Sequence, residues 1–166
     1  TTLVDVQQID KYFLRFQKGV LHFDPSLQLK IKVINGISRL DFWFKPAIVQ
    51  KLIFIKDFIS KIPDENIQLF FNVVFSETVR ESSNTRNEEF KLYRYDAEKL
   101  KRFNPDVFEI MASKLRRNRA GLQKFLAIMH NFRHPPMPHI YDFNTVEGIP
   151  REKIAPAASG SLALDW

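Results

Sequence analysis

The sequence predicts a mainly α-helical domain with a small β component. Most of the first 130 residues carry apolar side chains at steps of three and four, which is the spacing of one helix face. One stretch alternates apolar and polar residues instead, as a strand does. The chain has 166 residues, 45% hydrophobic and 27% charged, which suits a globular domain with a core. Its 16 Phe predict that this core is rich in aromatic rings.

The first helix is predicted from about Val4 to Leu21, before a turn at Asp24-Pro25. A β-hairpin near 27–44 follows it, because residues 27–33 alternate and Asn35-Gly36 is a favoured tight turn. Residues 37–44 form the return strand in this interpretation, although their alternation is only partial.

Proline and aspartate mark the boundaries of the next helices. Pro46 opens the second helix, and Pro63-Asp64 ends it, with Asp64 as the cap of a third helix from about Glu65 to Ser82. A short helix is predicted at 96–103. Asn104-Pro105-Asp106 then starts a long helix, with Asn104 as its cap, that ends near Phe132. We expect a helical domain over 1–134 and a proline-rich linker with a weakly structured tail over 135–166.

The third helix is apolar on nearly every side in its first half and polar afterwards. Four polar residues share one of its faces, at Asn72, Ser76, Arg80 and Ser83. In one interpretation this face lines a site, with Arg80 directed at a phosphate or a base edge. In the other, Arg80 and Glu77 form a structural ion pair. The segment 82–94 is likewise either a recognition segment or a solvated loop followed by an edge strand.

A basic run, Lys114 to Arg119, is the second candidate for function. Residues 98–124 hold eight Lys or Arg against three acids, a surplus of five within a net charge of +6. Such a helix face can track a phosphate backbone, or it can simply be the solvated side of the helix.

Several classes of protein are excluded or disfavoured. The absence of Cys excludes disulfides and cysteine zinc sites, and it fits a reducing cytoplasm. No apolar run reaches the length of about 18 residues that a membrane span needs, and no signal peptide is visible in the sequence. Glycine-rich phosphate loops are absent. His130, His134 and His139 lack nearby acidic partners in sequence, and Pro135 interrupts them, so no metal site is predicted.

The region 70–94 resembles a family of prokaryotic S-adenosylmethionine-dependent DNA methylases, which methylate the N4 amino group of cytosine or the N6 amino group of adenine. The resemblance covers roughly residues 40–130. Besides 70–94, it rests on the motifs Phe42-Trp43-Phe44-Lys45-Pro46, Phe103-Asn104-Pro105-Asp106-Val107-Phe108 and Arg117-Asn118-Arg119-Ala120-Gly121-Leu122.

The resemblance implies a helical segment of an α/β methyltransferase, between the cofactor-binding half and the catalytic strand. The family's Phe-x-Gly-x-Gly loop and its Asp/Asn/Ser-Pro-Pro-Tyr tetrapeptide are both missing from this sequence. A catalytic segment is expected between about Ala158 and Ser161 in the family pattern. We therefore expect a fragment without catalytic residues that is inactive alone. The complete enzyme uses S-adenosylmethionine, and none is expected to bind this fragment.

The resemblance also makes DNA and the remainder of the methyltransferase the expected partners, in a cytoplasmic restriction-modification setting without a membrane. Residues expected to contact DNA or close the site are Arg80, Asn84, Arg86, Asn87, Lys91 and Arg94. A second set, for phosphates, is Arg116, Arg117 and Arg119. The alternative is a non-enzymatic helical module that binds nucleic acid or another protein.

Overall fold

The structure is a computed structural model that describes residues 5–26, 40–86 and 93–132. Helices account for 76% of these residues, and no sheet forms among them, so the mainly helical prediction is confirmed. The helices in these ranges are α1 (Val6–Leu21), α2 (Leu40–Trp43), α3 (Pro46–Ser60), α4 (Glu65–Ser82), α5 (Ala97–Arg102) and α6 (Val107–His130).

The chain divides into a unit of residues 1–129 and a unit of residues 130–166. Only 130–132 of the second unit are described, so the architecture below is that of the first. The boundary predicted at residue 134 and the predicted tail lie outside the described residues.

Aspartate side chains begin several of the helices, as the sequence predicts for Asp64. The Asp64 carboxylate accepts a hydrogen bond from the Ile67 backbone N–H at 3.0 Å, which satisfies one of the unpaired donors of the first turn of α4. Pro46 occupies the first turn of α3, where its missing N–H has no cost.

The cap of α6 differs from the prediction. Asp106, not Asn104, accepts hydrogen bonds from the Phe108 and Glu109 backbone N–H groups, at 3.1 and 3.3 Å. The helix therefore begins at Val107, two residues later than the sequence pattern suggests.

The predicted hairpin is wrong where it can be compared with the structure. Residues Leu40–Trp43 form α2, a single helical turn, instead of a return strand. The Phe44 backbone N–H donates to the Leu40 carbonyl at 2.9 Å, which closes this turn. The local alternation was too weak to determine the conformation, because contacts with the end of α4 hold this turn, as described below. Residues 27–39 of the hairpin lie outside the described residues.

The core is formed by one face each of α1, α3, α4 and α6. Its largest fully buried side chains are Phe16, Phe71, Ile9, Ile48, Ile55, Ile59, Ile67, Met111 and Leu115. Phe16 contacts Phe58 of α3 and Phe108 of α6, with ring centroids 5.5 and 6.3 Å apart. These tilted and edge-on contacts are the preferred geometry of aromatic pairs, and they confirm the aromatic core that the Phe content predicts.

α4 lies between α3 and α6 and positions the candidate site. The end of α3 packs against the start of α4, where the Gln68 side chain donates to the Ile59 and Ile62 carbonyls at 3.2 and 3.3 Å. On its other side, Thr78 contacts the Met111 sulfur of α6 at 3.4 Å. Across these three stretches of described chain, every helix is too short or too polar to cross a bilayer.

Candidate nucleic-acid interface

The end of α4 is a compact polar turn. Ser83 is the C-terminal cap, and its hydroxyl donates to the Arg80 carbonyl at 2.7 Å. The same hydroxyl lies 2.6 Å from the Thr85 hydroxyl. Ser82, Ser83, Asn84 and Thr85 are all buried, which differs from the solvated segment suggested by their polarity. The polar run therefore packs inside the protein before the chain reaches solvent at Arg86.

Asn84 connects this turn to α2. Its backbone N–H donates to the Trp43 carbonyl at 2.8 Å, and its side-chain Nδ2 donates to the Phe42 carbonyl at 3.2 Å. Only 3% of Asn84 is exposed, so its side chain is committed to the interior. The Asn84 Oδ1 and Ser82 Oγ atoms are buried without a hydrogen-bond partner in the described part of the chain. Unpaired buried oxygens are uncommon in folded proteins, so this turn has unused hydrogen-bonding capacity.

The chain returns beside the same turn at residues 93–95. Thr85 and Arg94 form an antiparallel bridge, the Arg86 backbone N–H donates to the Tyr93 carbonyl at 2.8 Å, and the Tyr95 N–H donates to the Asn84 carbonyl at 2.9 Å. These bonds bring the Arg86 and Arg94 backbones together at the base of a loop.

Arg94 also packs against α2. Its guanidinium carbon lies 4.3 Å from the centroid of the Phe42 ring, a cation–π contact. The Arg94 residue remains exposed, so the guanidinium can form further contacts beyond this stacking.

The outward face of α4 is partly apolar and partly polar. Its exposed residues recur at helical spacing and are Asn66, Leu69, Val73, Ser76 and Arg80. Leu69 is 62% exposed and Val73 is 58% exposed. Arg80 follows them on the same face, and its side chain has no acidic partner among the described residues. The predicted polar stripe is therefore confirmed for its outward members Ser76 and Arg80, but Ser83 turns inward.

Glu77 pairs with α6 and not with Arg80. The Arg117 Nη2 atom lies 2.6 and 2.7 Å from the two Glu77 carboxylate oxygens, and the Lys114 Nζ atom lies 3.4 Å from one of them. The hydrogen bond from Arg117 lowers the pKa of Glu77 below its usual value; burial opposes this shift, and Lys114 adds a smaller effect in the lowering direction. The sequence allows an ion pair between Arg80 and Glu77; in the structure Arg117 forms the ion pair with Glu77 instead.

The other basic residues of the run from Lys114 to Arg119 also have carboxylate partners. Arg119 holds Asp10 of α1 through two hydrogen bonds of 3.0 and 2.8 Å, and this contact raises the pKa of Arg119. Arg116 pairs with Glu109, and Lys114 also pairs with Glu81 at 2.5 Å. The basic run therefore joins α6 to α1 and α4, and much of its charge is neutralised within the fold.

A shallow cavity of about 270 Å³ lies between the end of α4 and the first turns of α6. Its lining residues are Glu81, Asp106, Glu109, Ile110, Ser113 and Lys114. Three carboxylates and one paired ammonium group do not suit a polyanion, and no aromatic side chain is present to stack on a base. The cavity is therefore neither a nucleic-acid channel nor a fit for the adenosyl group of S-adenosylmethionine.

Comparison with known proteins gives a similarity to a methyltransferase. A 102-residue stretch, 61% of this chain, is 42% identical to the Type II methyltransferase M.MvaI of Kocuria varians. This agrees with the methylase resemblance of the sequence. The chain spans about a fifth (22%) of the length of that relative. No family model matches the chain, and no solved structure matches it.

The sequence-predicted residues fall into three groups in the structure. Arg80, Arg86 and Arg94 are exposed around the end of α4, and Asn84 is buried beneath them. Arg116, Arg117 and Arg119 lie on α6 with acidic partners. Asn87 and Lys91 lie outside the described residues. In the described ranges, no three His, Cys, Asp or Glu side chains converge on a metal-sized site.

Proposed function

We propose that this chain is a segment of a DNA amino-methyltransferase of the N4-cytosine or N6-adenine type, which braces the catalytic half and contacts DNA. The observation that carries the proposal is the 42% identity over 102 residues to a Type II methyltransferase. In this proposal the complete enzyme uses S-adenosylmethionine, works in the cytoplasm within a restriction-modification system, and holds its cofactor and catalytic loops outside this segment.

The bracing role belongs to the turn at Ser82–Thr85. Asn84 ties the end of α4 to α2 through two hydrogen bonds, which fixes the direction in which the following loop leaves the fold. Asn84 acts on DNA only indirectly in this proposal, because its side chain is buried.

The DNA-contacting role belongs to the exposed arginines around that turn. Arg80 is exposed without an acidic partner in the described ranges, and the guanidinium carbon of Arg94 lies over the Phe42 ring, 4.3 Å from its centroid. Stacking pre-orders a guanidinium for a bidentate contact with a phosphate or a guanine edge. Arg86 lies at the base of the same loop, and Asn87 and Lys91 follow it in sequence. Arg80, Arg86 and Arg94 are all exposed around the end of α4.

The α6 arginines are weaker candidates for DNA contact. Each of Arg116, Arg117 and Arg119 would have to leave a carboxylate in order to bind a phosphate. The net gain from such an exchange is smaller than the gain from a free guanidinium. Their primary role in this proposal is to hold α1, α4 and α6 together.

Titration of a labelled DNA duplex by fluorescence anisotropy tests whether the arginines around the end of α4, and not those of α6, contact DNA. The variant Arg80→Gln/Arg94→Gln should bind at least about tenfold more weakly than the parent chain, because each arginine contact with DNA contributes about 1–3 kcal/mol. The matched control Arg116→Gln/Arg117→Gln removes the same charge from paired residues, and it should change the Kd much less. Equal losses in the two variants would contradict the assignment.

The cofactor part of the proposal has its own tests. Calorimetric titration of this chain with S-adenosylmethionine should give no saturable heat, and tight binding would contradict the assignment of the cofactor loop to another segment. The full reading frame should add a glycine-rich loop and a Pro-Pro-Tyr type motif. Methyl transfer to duplex DNA should then require the full-length protein, with the target amino group read from the product.

A further inference from the structure

The outer face of α1 carries a row of basic side chains that is separate from the surface around α4. Lys11, Arg15, Lys18 and His22 recur at steps of four, three and four residues, so they lie within one narrow stripe. All four residues are exposed, and the stripe lies opposite Ile9 and Phe16, which α1 buries in the core. We name Lys11, Arg15, Lys18 and His22 the α1 stripe.

The α1 stripe has no internal counter-charge. Asp10 is the only acidic residue within α1, and Arg119 of α6 already binds both of its carboxylate oxygens. Arg15 lies over the Tyr12 ring at 5.4 Å, and Lys11 and Lys18 have no ion pair within the described ranges. This differs from α6, where Lys114, Arg116, Arg117 and Arg119 all meet carboxylates.

The elements packed beneath α1 do not neutralise it either. Phe16 and Phe23 of the α1 region contact Phe58, Phe54 and Phe108, so this seam is aromatic. The charged side chain that packs over Phe108 from α3 is Lys51, at 5.4 Å from the ring centroid. The positive charge of the stripe is therefore available to an external anion.

We propose that the α1 stripe binds the phosphate backbone of duplex DNA. Eleven residues separate Lys11 from His22, a helix length of about 16 Å, over which duplex DNA presents roughly nine phosphate charges. The choice of DNA among polyanions rests on the proposed function above. An anionic membrane fits less well, because α1 buries Ile9 and Phe16 in the core and exposes only Leu14 and Leu21 among its large aliphatic side chains, too few for an inserted apolar face.

The test is the salt dependence of duplex binding by the 166-residue chain between about 50 and 200 mM salt. The triple variant Lys11→Gln/Arg15→Gln/Lys18→Gln should reduce the slope of log K against log salt by about 2 to 3, since each lost phosphate contact contributes about 0.9. Binding at the lower salt concentration should weaken by at least about tenfold.

The matched control is Lys56→Gln/Lys61→Gln/Lys101→Gln. It removes the same charge from three exposed lysines with hydrogen-bonding partners in the fold: Lys56 bonds Asn72, and Lys61 and Lys101 form ion pairs with Asp57 and Glu98. This variant should retain nearly all of the parent slope. Circular dichroism melts establish that both triples fold. If the α1 triple variant does not fold, the single variant Lys18→Glu is compared with the parent chain in its place.

Each remaining result overturns a defined claim. An unchanged slope in the α1 variant, or equal losses in both triples, overturns the stripe while leaving DNA contact elsewhere on the chain intact. Absence of duplex binding by the parent chain even at low salt overturns both the stripe and the DNA contact in the proposed function. Stripe-dependent binding to phosphatidylserine vesicles, with no stripe-dependent binding to duplex, replaces DNA by a membrane surface.

Discussion

Arg117 of α6 donates two hydrogen bonds from Nη2 to the carboxylate of Glu77 on α4, at 2.7 and 2.6 Å, across 40 residues of sequence. The contact fixes the basic helix against the helix that carries the candidate DNA surface. Because the Arg117 charge is paired with Glu77, it supports the packing of α6 against α4 and is less available to an external anion. Both side chains remain partly exposed, so the pair contributes less than about 1 kcal/mol to folding.

The Glu77 pair predicts an acid-sensitive contribution to stability. The pKa of Glu77 is lowered in the folded protein, chiefly by the hydrogen bond from Arg117. A lowered folded pKa means that the contribution is complete above the unfolded carboxyl pKa of about 4.3 and is lost as the pH falls through the folded pKa. Urea unfolding of the parent and Glu77→Gln chains should therefore differ at pH 7 and converge in strong acid. A difference that grows on acidification would contradict this sign.

Gly121 predicts a stabilising substitution within α6. A Cβ atom built at Gly121 meets no atom within 4 Å, and the residue is exposed inside the helix. Gly121→Ala should raise the free energy of unfolding by about 0.5–1 kcal/mol, because alanine loses less backbone entropy on helix formation. Ala120→Gly, one residue earlier and also exposed, should lower it by a similar amount. Destabilisation by Gly121→Ala in chemical unfolding would mean that α6 is not a regular helix there.

Asp106 caps α6 in the structure, whereas the sequence pattern predicts Asn104 as the cap. Asp106→Ala should destabilise the fold by about 1 kcal/mol, because the Asp106 carboxylate accepts from two backbone N–H groups of the first turn. Asn104→Ala should have little effect, since Asn104 is exposed and lies two residues before the cap. Thermal melts of the two single variants measure the comparison, and the reverse order would restore Asn104 as the cap.

Helical periodicity predicts most of the described fold. The boundaries of α4 at Glu65 and Ser82 follow directly from the Asp64 cap and the apolar steps, because both signals are local. α2 could not be predicted in the same way. Its conformation depends on hydrogen bonds from Asn84, which lies about 40 residues away, and a four-residue turn has no periodicity of its own.

The candidate site was predictable as a region but not residue by residue. Polar side chains after α4 indicated a special segment, but polarity alone could not show that Ser82 to Thr85 are buried and that Arg86 is exposed. Charge counting indicated α6, yet the carboxylates that neutralise it come from α1 and α4 and are distant in sequence. The α1 stripe is absent from the sequence prediction because its cations are spread along a helix that also contains apolar residues, although the steps between Lys11, Arg15 and Lys18 are a usable signal.

Asn84 separates a bracing role from a direct DNA-binding role. Asn84→Ala removes a buried side chain and its hydrogen bond to the Phe42 carbonyl, which should cost about 1–3 kcal/mol of stability. Arg94→Gln should cost less, because Arg94 is exposed and contributes a cation–π contact of about 0.5–1 kcal/mol. Chemical unfolding ranks the two. In duplex titrations at a temperature where both variants remain folded, Arg94→Gln should reduce the salt slope, whereas Asn84→Ala should leave it unchanged. A reduced slope for folded Asn84→Ala would instead assign Asn84 a direct contact with DNA.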